Sequence, residues 1–164
     1  MGAATAIFLA SNSIHVDAMI LDSPFGRLRD VVENIVSHHS NIPGFIIKAF
    51  MGVLRGTIQE KADFDIDKVN PFEYAAKVTV PCLFVTGDED YVVNFEQFME
   101  LYRVFRCEKK MFVVQGTHSD ARIGDSNFVQ AALGFMKEKM NLEKQEGQKP
   151  GSSVFLESET TLST

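Results

Sequence analysis

The chain has 164 residues, 45% of them hydrophobic, with 14 Phe and a formal net charge of −6 from 16 basic and 22 acidic side chains. That length suits one domain with a real core, and an acidic balance without a Lys/Arg stripe argues against nucleic acid as a partner. The two cysteines, Cys82 and Cys107, imply no disulfide framework.

Residues 2–11 are Ala-rich and apolar, which predicts a buried helix packed on a sheet and ended by Asn12-Ser13. No basic residue precedes this run, so it does not read as a secretory signal. Ala6 stands where a myristoylation motif places Ser or Thr. Residues 16–21 form a short apolar run closed by Asp22-Ser23-Pro24. They predict a fully buried, central strand with a turn at its C-terminal end. Leu28, Val31, Val32, Ile35 and Val36 keep helical spacing over 28–36.

Residues 43–54 are helical and very apolar, with Pro43 suited to the first turn. Such a segment is expected to be covered on most sides or to lie over a pocket. Residues 63–69 are acidic and irregular, and a short helical stretch over 72–77 follows Asn70-Pro71. The clearest strand is 81–86, leading into Gly87-Asp88-Glu89-Asp90. Phe95, Phe98, Leu101, Tyr102 and Phe105 mark an amphipathic helix over 95–105. A strand over 110–115 closes at Gly116, and a helix over 126–140 ends the fold.

No window approaches the ~18–20 continuous apolar residues of a membrane span, and a soluble cytoplasmic protein is expected. The folded domain is expected over 1–140. Residues 141–164, rich in Glu, Lys, Gln, Gly, Ser and Thr, read as a flexible polar tail. Strands separated by helices imply an α/β fold with a parallel sheet and right-handed crossovers. Only about three strands are visible, so the sheet reads as incomplete. Its open edge is expected to attract a partner chain.

In open α/β sheets the reactive residues sit on loops beyond the C-terminal strand ends. Three such loops occur here: Asp22-Ser23-Pro24-Phe25, Gly87 to Val93, and Gly116-Thr117-His118-Ser119. An acid and then a histidine at adjacent strand ends are what a serine-hydrolase triad needs. The histidine takes the nucleophile's proton, and the carboxylate fixes its tautomer.

Leu83-Phe84-Val85-Thr86-Gly87-Asp88-Glu89-Asp90-Tyr91-Val92-Val93 is similar to the Gly-x-x-Asp-x-x-Val segment that carries the acid in α/β-hydrolases. Val114-Gln115-Gly116-Thr117-His118 resembles the Gly-x-His segment that ends their last strand. Met1-Gly2-Ala3-Ala4-Thr5 looks like the helix after the nucleophile serine, and Met19 to Phe25 like the strand and turn that follow. Residues 1–140 thus resemble the C-terminal half of an α/β-hydrolase of the S33-aminopeptidase-like and monoacylglycerol-lipase-like group.

The resemblance implies Asp90 as triad acid and His118 as base. Asp22 is a reserve acid, and the Met1 backbone nitrogen an oxyanion donor. It also implies hydrolysis of a small-molecule ester or amide through an acyl-enzyme, with no metal or organic cofactor. The serine falls one residue before Met1, so the chain as written is expected to be inactive. A non-catalytic binding or regulatory module is the alternative.

Other residues carry less. Ser23 before Pro24 reads as turn chemistry, and Cys82 in its apolar run as a buried small hydrophobe. Asp63-Phe64-Asp65-Ile66-Asp67 mimics the start of an EF-hand, but Lys68 and Tyr74 stand where that loop needs Gly and Glu. His38 and His39 are adjacent, so they do not share a helix face as a metal-binding i, i+4 pair does.

Overall fold

The computed structural model describes residues 1–12, 15–39 and 43–140. The expectation of a flexible tail over 141–164 falls outside them. Among the described residues, six helices surround a three-stranded parallel sheet of order β1-β2-β3. The strands are β1 (Met19–Asp22), β2 (Cys82–Gly87) and β3 (Lys109–Val114). Cys82 lies opposite Met19 on one side and Lys109 on the other, so β2 is the central strand. All six of its residues are buried, which is why it reads as an unbroken apolar run.

The helices are α1 (Gly2–Asn12), α2 (Leu28–His39), α3 (Gly44–Ala62), α4 (Phe72–Ala75), α5 (Phe95–Val104) and α6 (Ser126–Lys139). Helix α1 forms because alanines cost little conformational freedom. Ala4, Ile7 and Ala10, at a spacing of three, are its buried positions. At its end the Ser11 hydroxyl and Asn12 amide both donate to the Phe8 carbonyl, at 2.7 and 2.9 Å. Asn94 caps α5 by accepting from Gln97 N–H, and Asp125 caps α6 by accepting from the N–H groups of Asn127 and Phe128.

The sheet divides the core. On one face Met19, Leu21, Cys82 and Phe84 pack with α1, α4 and α5. The Phe84 ring meets Phe98, Tyr102 and Phe105 edge-on, with centroids 6.0, 5.1 and 4.9 Å away. On the other face Leu83, Val85 and Val114 pack against Phe135 of α6.

Two expectations are corrected. Strand β1 is not fully buried: it lies at the edge of the described sheet, and its burial alternates. Helix α6 packs over β2 and β3 on that face, leaving Ile20 exposed. The apolar segment from Pro43 also is not covered on most sides. It extends as a helix to Ala62, and only the stripe Ile47, Met51, Leu54 and Ile58 packs, against α2 and Ile66. Phe45 remains 74% exposed, with Ile46, Phe50 and Val53 also in solvent, because no described element lies on that side.

The acidic stretch after α3 is explained by arginines. Arg55 Nε bonds Asp65 at 2.8 Å and its Nη1 pairs with Asp67 at 2.9 Å, while Arg29 Nη1 meets Asp67 at 3.3 Å. The Arg55 guanidinium holds the Asp65 carboxyl below the usual carboxylate range. These pairs tie α2, α3 and the short 3-10 turn Ile66–Lys68 together.

Candidate functional site

Two strand-end loops are drawn together beyond β2 and β3. Asp88 N–H donates to the Val114 carbonyl at 2.9 Å and Glu89 N–H to the Gly116 carbonyl at 3.1 Å, while Gly116 N–H donates to Asp88 Oδ1 at 2.7 Å. So close an approach requires Gly87: a Cβ there would sit 2.2 Å from the Gly116 carbonyl oxygen. Gly116 itself has φ +118°, which an L side chain rarely adopts. Beyond it, Asp120 accepts from Thr117 N–H at 2.6 Å, and Thr117 holds the Asp120 carboxyl below its ordinary range.

This zippering brings Asp90 to His118. His118 Nδ1 lies 2.9 Å from Asp90 Oδ2 and 3.2 Å from Oδ1. The Asp90 side chain is 1% exposed and that of His118 34%. Asp90 Oδ1 also accepts from Val92 and Val93 N–H, at 3.0 and 2.9 Å, so three N–H groups fix the carboxylate. With Nδ1–H donated to Asp90, Nε2 is the ring nitrogen left to accept a proton. His118 lines a cavity of about 440 Å³ together with Met1, Gly2, Ala3, Asp22, Ser23 and Val93 among others. The N-terminal end of α1, the positive end of its dipole, therefore borders the same space as His118.

Asp22, the reserve acid, borders the cavity but has a different partner. Both its carboxylate oxygens lie 3.3 Å from Arg122 Nε. Arg122 was not singled out in the sequence. It is buried, and its Nη1 and Nη2 lack a hydrogen-bond partner among the described residues. Ser23 next to Asp22 has φ 44° and donates its N–H to Val85 at 2.8 Å, as its turn role requires. Asn34 was also missed: its amide donates to the Val92 carbonyl at 3.3 Å and to Gln97 at 2.7 Å, tying α2 to the loop that carries Asp90. Nothing in the local pattern of α2 marks that contact, which spans 58 residues.

Among the described residues no group of three or more His, Cys, Asp or Glu is placed to hold a metal ion, and no helix is long and apolar enough to cross a membrane.

The family model Serine hydrolase (FSH1) matches residues 33–119, just over half of the chain, a span that contains Asp90 and His118. No curated protein matches. Among solved structures, an esterase from Pyrococcus furiosus is similar at 15% identity and a TM-score of 0.61, over 84% of this chain and 51% of its own. An acylaminoacyl peptidase from Pyrococcus horikoshii aligns at 16% identity and a TM-score of 0.55, over 84% of this chain and 22% of its own. A cold-adapted esterase from an Arctic intertidal metagenomic library aligns at 12% identity and a TM-score of 0.54, over 85% and 45%. The chain thus spans about half the length of the esterases, and at these identities the likeness is one of fold. The chain belongs to the FSH1 serine hydrolase family, and its three-stranded sheet is part of an α/β-hydrolase fold.

Proposed function

We propose that this chain supplies the acid and the base of a serine-hydrolase site that cleaves a small-molecule ester or amide through an acyl-enzyme. The observation that carries the reading is the His118–Asp90 bond beside a cavity bordered by the start of α1. In this reading the nucleophilic serine immediately precedes Met1 in the full-length protein. His118 Nε2 takes the serine proton as Oγ attacks the carbonyl carbon. The Met1 backbone nitrogen, there a peptide N–H, donates to the developing oxyanion. His118 then protonates the leaving alcohol or amine, and water releases the acid by the reverse sequence. Asp90 holds the imidazole orientation and offsets its positive charge. These steps call on no metal or organic cofactor, and the acidic surface favours no nucleic acid.

The finer placement near S33-like and monoacylglycerol-lipase-like hydrolases rests on the motifs around Asp90 and His118. The open edge of β1 fits pairing with the strand that would lead into the serine, so the covering partner is the preceding part of the same polypeptide. A cytoplasmic location fits a sequence with two cysteines and no disulfide framework.

The test is labelling of the full-length protein with an activated phosphonate ester, which captures an activated serine. The expected adduct sits on the residue before Met1. Asp90→Asn should lower the labelling rate and kcat by about 10⁴-fold, whereas Asp22→Asn should leave the bulk of both. Equal losses from the two variants would sink the assignment of Asp90. Absence of any adduct, with ester ligands still bound, would favour the non-catalytic binding module instead.

A further inference from the structure

The end of the sheet opposite His118 holds a pair of neighbouring thiols. Cys82 opens β2 and Cys107 lies in the connection from α5 to β3. Both are free thiols, with Sγ atoms 3.8 Å apart. Cys82 is fully buried and its S–H reaches the Val80 carbonyl at 3.0 Å, while Cys107 is half-buried. The backbone around them is held: Cys82 N–H donates to the Glu108 carbonyl at 3.0 Å, and Lys109 Nζ donates to the Tyr102 and Phe105 carbonyls at the end of α5. The two sulfurs thus sit 3.8 Å apart on adjoining, hydrogen-bonded segments, where a disulfide would bring them to about 2.05 Å.

We propose that Cys82 and Cys107 form a reversible dithiol–disulfide site that reacts with small-molecule disulfides of the glutathione class. Cys107 is the attacking thiol because solvent reaches it. Its thiol pKa is lowered, first by the contact with Cys82 and further by the charge of Lys109, which favours the attacking thiolate. Its thiolate attacks one sulfur of oxidised glutathione and expels a glutathione thiolate, giving a mixed disulfide on Cys107. The bond with Cys107 and burial push the Cys82 thiol well up, so it stays protonated until it reacts. Cys82 then attacks the Cys107 sulfur, and the departing second glutathione takes up its proton. The sum is protein dithiol plus oxidised glutathione giving protein disulfide plus two reduced glutathiones. Arg103 and Arg106, exposed and just before Cys107 in sequence, add positive charge that would favour the carboxylates of the tripeptide. The product ties the start of the central strand to the α5–β3 connection, away from Asp90 and His118.

The experiment exposes the full-length protein to mixtures of reduced and oxidised glutathione, quenches with an alkylating agent, and maps peptides without reduction. The expected result is loss of both alkylatable thiols together and one intramolecular Cys82–Cys107 peptide pair. Cys82→Ala should stop at the mixed disulfide on Cys107, and Cys107→Ser should leave Cys82 unmodified. The inference is overturned if the native protein retains glutathione on Cys107 with Cys82 still free, if neither thiol reacts, or if the only linkage joins two chains. None of these outcomes depends on hydrolase activity.

Discussion

Replacing Gly87 by Ala tests the link between strand packing and the candidate site. The added Cβ would stand 2.2 Å from the Gly116 carbonyl oxygen and 3.2 Å from that of Thr117. A carbon and a carbonyl oxygen normally approach to about 3.3 Å, so the two loops must part by roughly 1 Å. Gly87 is the last residue of β2 and pairs directly with Val114 of β3, so the strain falls where Asp88 and Glu89 bond the second loop. Carried to the pair beyond, the same shift stretches the 2.9 Å His118–Asp90 bond to about 4 Å, outside hydrogen-bond range. Overpacking of this kind costs about 1–3 kcal/mol, and at this chain length each kcal/mol lowers the melting temperature by roughly 2–4 °C. Gly134→Ala is the matched control: a Cβ there meets nothing within 4 Å, in the body of α6. It should stabilise by about 0.5–1 kcal/mol through helix propensity. Thermal unfolding of both variants, with NMR of the His118 ring, reads the two effects. A Gly87→Ala protein that melts with the parent and keeps the His118 Nδ1–H signal would refute the reasoning.

Phe84→Ala, which removes a fully buried ring from three edge-on neighbours, should cost about 3–5 kcal/mol, read as a lower urea midpoint at unchanged slope. Arg55→Gln should reshape the acid limb of stability. The Asp65 pKa is depressed in the folded protein, first by its bond with Arg55. The stability it contributes is therefore present above the unfolded carboxyl pKa, about 3.9, and is lost as pH falls through the lower folded value. The variant should be less stable at neutral pH and lose less between pH 5 and acid unfolding; parallel pH–stability curves would contradict this. Asn34→Ala should weaken the hold of α2 on the Asp90 loop, read as faster amide exchange at Val92 and Val93, and unchanged exchange would remove Asn34 from that role.

Local pattern alone was enough for the βα order, for β2 as a strand and for the histidine and acid at adjacent strand ends. Period and turn chemistry are properties of neighbouring residues, so runs such as 81–86 and the glycines after them are legible without a partner. The choice between Asp90 and Asp22 was different. Both are acids just past strand ends; the resemblance ranked Asp90 first and Asp22 in reserve, and in the tertiary structure Asp90 meets His118 while Asp22 meets Arg122. Burial followed the same rule. The apolar run of β1 implied full burial and the apolar α3 implied a helix covered on most sides or lying over a pocket, yet exposure depends on which elements lie alongside, and α6 packs over β2 and β3. The meeting of Cys82 with Cys107, 25 residues apart, likewise came from the crossover through α5, which returns the chain to the same end of the sheet. Sequence fixes what each segment is able to form, because that depends on its own few residues; only the assembled packing decides what each side chain faces, because that depends on residues far along the chain.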